Sequence, residues 1–256
     1  MEIIYYTINP GGNITAIVTN NIQKKYRVTI AQQILQSDKY IEQVGFITMP
    51  KNKKNDGRIE MAGGEFCGNA VRSLAYLLWN KKNKKKLLLE SSGYNKKIPA
   101  TSDSKVSTIS VNINDFSLKK IEEGTIVSLP GITHLVTTQK MNKIKTKKLL
   151  KKYKLLTEKA SGVISFTKKA KNIEIKPIIW VRDVGTLYEE TACSSGTLAV
   201  TYLLLEDKKT NELIVKQPSG SFFKVLLKNK DLVLEGPNVS IEQYKMYLNL
   251  SSLYQY

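Results

Sequence analysis

The chain contains two cysteines, and each stands at the head of the same local pattern. The first lies in Gly63-Gly64-Glu65-Phe66-Cys67-Gly68-Asn69-Ala70 and the second in Glu189-Glu190-Thr191-Ala192-Cys193-Ser194-Ser195-Gly196-Thr197. Small residues follow each thiol, and an apolar helical pattern follows those, with Val71, Leu74 and Leu78 on one face and Leu198, Tyr202 and Leu205 on the other. Sliding the chain by 126 positions lays Cys67 on Cys193 and Tyr76-Leu77-Leu78 on Tyr202-Leu203-Leu204. A shift of about half the length implies two similar lobes. A polar stretch near Asp115 to Glu122 marks the division, giving an N-terminal lobe over 1–117 and a C-terminal lobe over 118–245. The C-terminal segment 246–256 is expected to complete the first lobe.

Between the two helices, short β-rich runs recur, bounded by turn residues. They are Ile3 to Ile8, Ile14 to Thr19, Gly45 to Met49, Lys86 to Glu90, Val106 to Ile113, Thr125 to Leu129, Gly162 to Thr167, Ile173 to Val181, Leu213 to Lys216, Phe222 to Leu227 and Leu232 to Leu234. Gly11-Gly12, Pro130-Gly131 and Pro218-Ser219-Gly220 supply turns. Two further helical patterns lie at Ile30 to Gln36 and about Lys145 to Leu155. The mixture reads as α+β, two pseudo-symmetric lobes with a β-sheet wrapped around a central helix in each.

A net charge of +18 raises the question of nucleic acid, but only four of the 40 basic residues are arginine. Readers of bases and phosphates favour the forked guanidinium. The lysine runs at 51–54, 81–86 and 147–154 read as solvated loops and helix faces, so no nucleic-acid partner is expected. No apolar stretch reaches the roughly 20 residues of a membrane span, and the N-terminus carries no secretory pattern. The expected location is the cytoplasm, with both thiols reduced.

A thiol at a helix N-terminus meets unpaired backbone N–H groups and the positive end of the helix dipole, which favour a thiolate and also bind a carboxylate. Amides at Gly68 and Asn69 and at Ser194 and Ser195 are placed to grip one ligand carboxylate between two thiols. Inverting a stereocentre requires a proton to leave one face of Cα and another to arrive on the opposite face, and two facing cysteines serve as base and acid in turn. His134, the single histidine, is expected to be a structural hydrogen-bonding residue on a turn.

These motifs resemble the diaminopimelate epimerase and proline racemase superfamily over essentially the whole chain. Asn13 in Pro10-Gly11-Gly12-Asn13 and Gln43 in Glu42-Gln43-Val44-Gly45-Phe46 match family substrate-binding residues. Cys67-Gly68-Asn69 and Cys193-Ser194-Ser195-Gly196 match the paired acid/base motifs, and Pro218-Ser219-Gly220 the late turn. The residues that hold a second carboxylate in diaminopimelate epimerase are replaced: Val184-Gly185-Thr186 stands ahead of the second cysteine and Ile132 in Pro130-Gly131-Ile132. Arg182 substitutes only if its loop shifts. Proline racemases carry a histidine where this chain has Asn69.

The histidine racemase branch is more similar, in Glu42 to Ile47, Glu65 to Ala70, Pro177 to Thr197 and Gln217 to Ser221. The resemblance implies a diaminopimelate epimerase-like fold, a free amino acid as substrate, histidine first, and catalysis by Cys67 and Cys193. It also implies no cofactor, no metal and a homodimer. Glu190 is preferred as the group that receives the substrate ammonium, with Glu189 the alternative. Diaminopimelate epimerase with a rearranged pocket, and a non-catalytic basic binding protein on the same fold, remain as other readings.

Overall fold

The structure, a computed structural model, describes residues 1–169, 172–205 and 211–247. The first half runs β1 Glu2–Asn9, β2 Thr15–Val18, α1 Lys24–Ser37, β3 Gln43–Thr48, β4 Gly57–Met61, α2 Gly68–Lys82, β5 Lys86–Ser91, β6 Tyr94–Ser102 and β7 Val106–Asn112. The second runs β8 Ser117–Ile121, β9 Gly124–Leu129, β10 Ile132–Thr137, α3 Lys143–Lys152, β11 Ala160–Lys169, β12 Asn172–Val181, β13 Thr186–Glu189, α4 Ser194–Leu205, β14 Glu212–Lys216, β15 Phe222–Lys228, β16 Asp231–Pro237 and β17 Ser240–Tyr247. Among the described residues no helix is long and apolar enough to cross a membrane.

The internal repeat seen in the sequence is also a repeat of connections. In the first half β1 and β2 are antiparallel, β2 and β3 parallel, β3 and β4 antiparallel, β4 and β5 parallel, and β5, β6 and β7 antiparallel in turn. The second half follows the same order through β9, β10, β11, β12, β14, β15 and β16. Each parallel step requires a crossover. The crossovers are α1 and α3 at the first step and α2 and α4 at the second. The halves are stitched by β7 against β16 and by β17, which pairs along the whole of β1, while β8 pairs with β9 within the second half. Residues 248–256 of the segment expected to complete the first lobe lie outside the described residues.

Burial explains why α2 and α4 occupy the centre. Val71 and Leu74 are fully buried, as are Leu198, Ala199 and Val200, and all join one apolar cluster with Ile59, Leu89, Ile109, Ile164, Phe223 and Leu234 from the surrounding strands. A smaller cluster lies under α1, around Ile30, Ile34 and Phe46, and another under α3, around Leu135, Leu150 and Val163. The lysines of the three runs are exposed, as expected of solvated faces.

Three departures from the sequence reading have local causes. The polar stretch taken as a boundary contains β8, whose Leu118 and Ile121 are half-buried while Ser117, Lys119 and Lys120 face outward, so it carries little apolar signal. Strand β6 was missed because Pro99 and two lysines interrupt its alternation; Pro99 sits opposite Leu88 on β5. His134 lies on no turn. It is inside β10, every residue of which is buried, and such a strand shows no two-residue period.

Arg72, on α2, is fully buried. Its Nε donates to the Ser107 carbonyl at 3.2 Å, Nη1 to the Pro10 carbonyl at 3.1 Å and Nη2 to the Pro237 carbonyl at 3.0 Å, and the guanidinium lies 4.7 Å from the Phe223 ring centre. A buried cation requires such saturation. One side chain thereby fixes α2 to the loop after β1, to β7 and to the end of β16.

Two turns meet backbone to backbone behind Cys67. Gly93 has φ +72°, and a Cβ there would lie 2.4 Å from the Phe66 amide nitrogen; one on Gly131 would lie 2.6 Å from the Gly93 Cα. Gly93→Ala combines left-handed strain with a backbone clash. The expected loss of stability is roughly 2 to 4 kcal/mol, read as a lower urea midpoint with unchanged slope.

Candidate active site

Cys67 is the N-cap of α2, with its sulfur accepting the Ala70 N–H at 3.5 Å. Cys193 holds the matching place before α4, where the Gly196 N–H points at its sulfur at 3.3 Å. The two helices meet end to end. A Cβ on Gly68 would lie 2.7 Å from the Ser194 Cβ, Asn69 Nδ2 donates to the Ala192 carbonyl at 3.1 Å, and the Ser194 hydroxyl donates to Asn69 Oδ1. The first-turn amides of Gly68, Asn69, Ser194 and Ser195 have no intrahelical acceptor, so two sets of N–H donors and two positive dipole ends converge there.

Loops from both halves close around this junction. Asn9 Oδ1 accepts the amides of Gly11 and Gly12 at 3.0 and 2.7 Å, which turns the chain into Asn13 at φ +54°. The Asn13 N–H donates to the Thr191 hydroxyl oxygen at 2.7 Å, and Thr191 donates to Glu42 through its hydroxyl and through its N–H at 2.9 Å. Ser219 of the Pro218-Ser219-Gly220 turn donates its hydroxyl to the Gly11 carbonyl and its N–H to the Thr191 carbonyl, both at 2.7 Å. Motifs far apart in the chain form one rim.

The cavity between the helix ends is lined by both cysteines and by Asn13, Gln43, Asn69, Glu190, Ser194 and Ser195. Gly68 is not in the lining and packs against Ser194. Glu189 is exposed at the end of β13, whereas Glu190 turns inward with its Oε2 buried and without a hydrogen-bond partner. Reading along the sequence missed Glu42, Glu65, Phe66, Ile179, Val181 and Tyr188 in the wall; only Glu65, two residues before Cys67, carried a local signal. Arg182 stays outside. It is paired with Asp183 at 2.7 Å and donates to the Thr157 carbonyl at 2.7 Å.

The surroundings of the thiols correct one expectation from the sequence. Helix N-termini favour thiolate, but burial pushes the Cys67 thiol up to about 12, with the charges of Glu190 and Glu65 acting in the same direction. Burial and Glu190 likewise hold Cys193 well above the usual thiol range. In this state both sulfurs are protonated. The Cys67 thiol donates to Gln43 Oε1 at 2.9 Å, and Gln43 Nε2 is anchored on the Thr15 hydroxyl at 2.6 Å. Cys193 Sγ lies 3.4 Å from Ser195 Oγ, which is 2.9 Å from His134 Nε2. Burial pushes His134 down to about 3, so the imidazole is neutral. Burial also raises Glu190 to about 8, opposed by the Cys193 and Asn13 side chains.

A model of the histidine racemase CntK N-terminal domain matches residues 2–241. The chain belongs to this histidine racemase family. It is accordingly an isomerase. A histidine racemase from Fusobacterium nucleatum subsp. nucleatum is 32% identical over 270 residues, covering 95% of this chain and 96% of the relative. A histidine racemase from Staphylococcus aureus strain Mu50 is 25% identical over 242 residues, covering 83% of this chain and 84% of the relative. Among solved structures, a PhzF-family phenazine biosynthesis protein from Enterococcus faecalis aligns over 97% of this chain and 100% of its own, with a TM-score of 0.64 and 12% identity. That likeness concerns the fold, a sheet-rich α+β architecture shared with this racemase family member.

The Glu190 carboxyl gives a pH prediction. Its folded value, about 8, stands above the ordinary 4.5, so its contribution to stability is full below the unfolded value and is lost as pH rises toward the folded one. Glu190→Gln removes that loss. The variant is expected to match the parent near pH 4 and to exceed it at pH 9 by roughly 1 to 4 kcal/mol; equal urea midpoints at pH 9 refute the assignment.

Proposed function

We propose that the protein interconverts L- and D-histidine without a cofactor, Cys67 and Cys193 exchanging the Cα proton across opposite faces. One observation carries this reading: two thiols, each on the first turn of its own helix, line one cavity where the helix N-termini abut. The substrate carboxylate rests on the amides of Gly68, Asn69, Ser194 and Ser195, and its ammonium on Glu190, with Asn13 beside it. One cysteine enters as thiolate and takes the α-proton. The electron pair left on Cα spreads into the carboxylate, which the converging amides stabilise. The other thiol gives its proton to the far face and becomes the thiolate, so the reverse reaction begins from the mirror arrangement.

The high resting position of both thiols fits this scheme. An ammonium seated on Glu190 favours its ionised form and offsets the charge with which that form, after burial, most opposes the thiolate at either cysteine. Substrate thereby helps to activate its own base. Histidine is favoured over diaminopimelate by the wall, whose lining among the described residues includes no lysine or arginine to hold a distal carboxylate. In the same reading the molecule is two lobes, residues 1–117 and 118–245, each a sheet around α2 or α4 as in diaminopimelate epimerase-like proteins. It works in the cytoplasm as a homodimer.

L-Histidine incubated with the protein in heavy water is expected to gain deuterium at Cα as optical rotation decays. Cys67→Ser and Cys193→Ser should each lower racemisation about 10³-fold, with the circular dichroism spectrum unchanged. Full activity in either variant sinks the two-thiol reading.

A further inference from the structure

The cavity wall holds three carboxylates, Glu42, Glu65 and Glu190. Glu42 is committed to the N–H and hydroxyl of Thr191. Glu190 is the ammonium acceptor of the reading above, its Oε2 buried in the same cavity that both thiols line. Glu65 is given no part in the proton transfer by that reading.

Its setting is nevertheless that of a binding group. Glu65 is 8% exposed, lines the cavity, and has Oε2 buried without a hydrogen-bond partner. Its backbone is fixed, since the Ser92 hydroxyl donates to the Glu65 carbonyl at 2.6 Å. Glycine at position 63 makes room for the carboxylate: a Cβ there would lie 2.6 Å from Oε2 and 2.5 Å from Val181 Cγ1. Burial raises the carboxyl to about 7, close to the ordinary imidazole value of about 6.5. The backbone N–H groups of Glu65 and Gly63 and the charge of Lys159 offset that burial only in part, and Oε2 itself is left as a buried acceptor without a partner, which is costly. A ligand N–H would satisfy it.

We propose that Glu65 is the specificity-determining residue of this site, its carboxylate receiving an N–H of the substrate's imidazole side chain. The proposal rests on the histidine racemase reading above. Aliphatic side chains leave Glu65 buried and unpaired, and a distal carboxylate is repelled by it.

The test compares Cα deuterium exchange of L-histidine and L-leucine in the parent, Glu65→Gln and Glu65→Leu proteins, with circular dichroism as the check on folding. Expected is a fall in the histidine-to-leucine ratio of kcat/KM of about tenfold for Gln, which keeps an acceptor oxygen, and about 100-fold for Leu. For histidine the loss should lie in KM more than in kcat. A parent that exchanges histidine, with a ratio within threefold of its own in whichever variant folds, overturns the role of Glu65 alone. A parent that exchanges no histidine overturns the substrate reading and this proposal with it.

Discussion

Everything at the centre of this molecule follows from the burial of two helix N-termini against each other. Gly68 and Ser194 are in such close contact that a single added carbon would collide, and the unpaired amides and positive dipole ends of α2 and α4 face one small space. Fully buried Arg72, one turn into α2, adds a further positive charge. The carboxyls that face it are each raised by burial from the usual range, so desolvation there outweighs the pull of the amides on a negative charge. The result is a site where proton positions are finely poised, because amides and the guanidinium favour anions while the surrounding apolar wall disfavours them.

The junction also explains how the rim is built. Each half contributes one helix and one cysteine, but the loops that close over them cross between halves: Asn13 on Thr191, Thr191 on Glu42, and Ser219 on Gly11. Strand β17, paired with β1, does the same at the level of the sheet.

What the sequence disclosed was whatever is encoded within one turn of a helix or one short run. Both cysteine motifs, the repeat and most strands were legible because small residues, apolar spacing and turn signals are local. The resemblance preferred Glu190 over Glu189, and the structure puts Glu190 in the wall and Glu189 outside it. The buried strand with His134 was not, because a strand covered on both faces has no alternation. Glu42 stands in a segment that the resemblance singled out for Gln43, but its own tie to the site runs through Thr191, 149 residues away, and is not local. The thiols were misjudged for the same reason: the favourable dipole is local to each helix, whereas the opposing desolvation and carboxylates come from the whole fold.

The two cysteines are equivalent in the repeat but not in their surroundings. Cys67 faces the amide oxygen of Gln43, while Cys193 faces Glu190 and the Ser195 hydroxyl backed by His134. For a racemase this asymmetry is permitted and bounded. Free L- and D-histidine have equal free energies, so kcat/KM in the two directions must be equal however different the two thiols are. The unequal surroundings can act only by dividing that shared barrier differently between binding and turnover. On the proposed reading they set which sulfur carries the proton when the cavity closes, and so which enantiomer is bound more tightly and turned over more slowly.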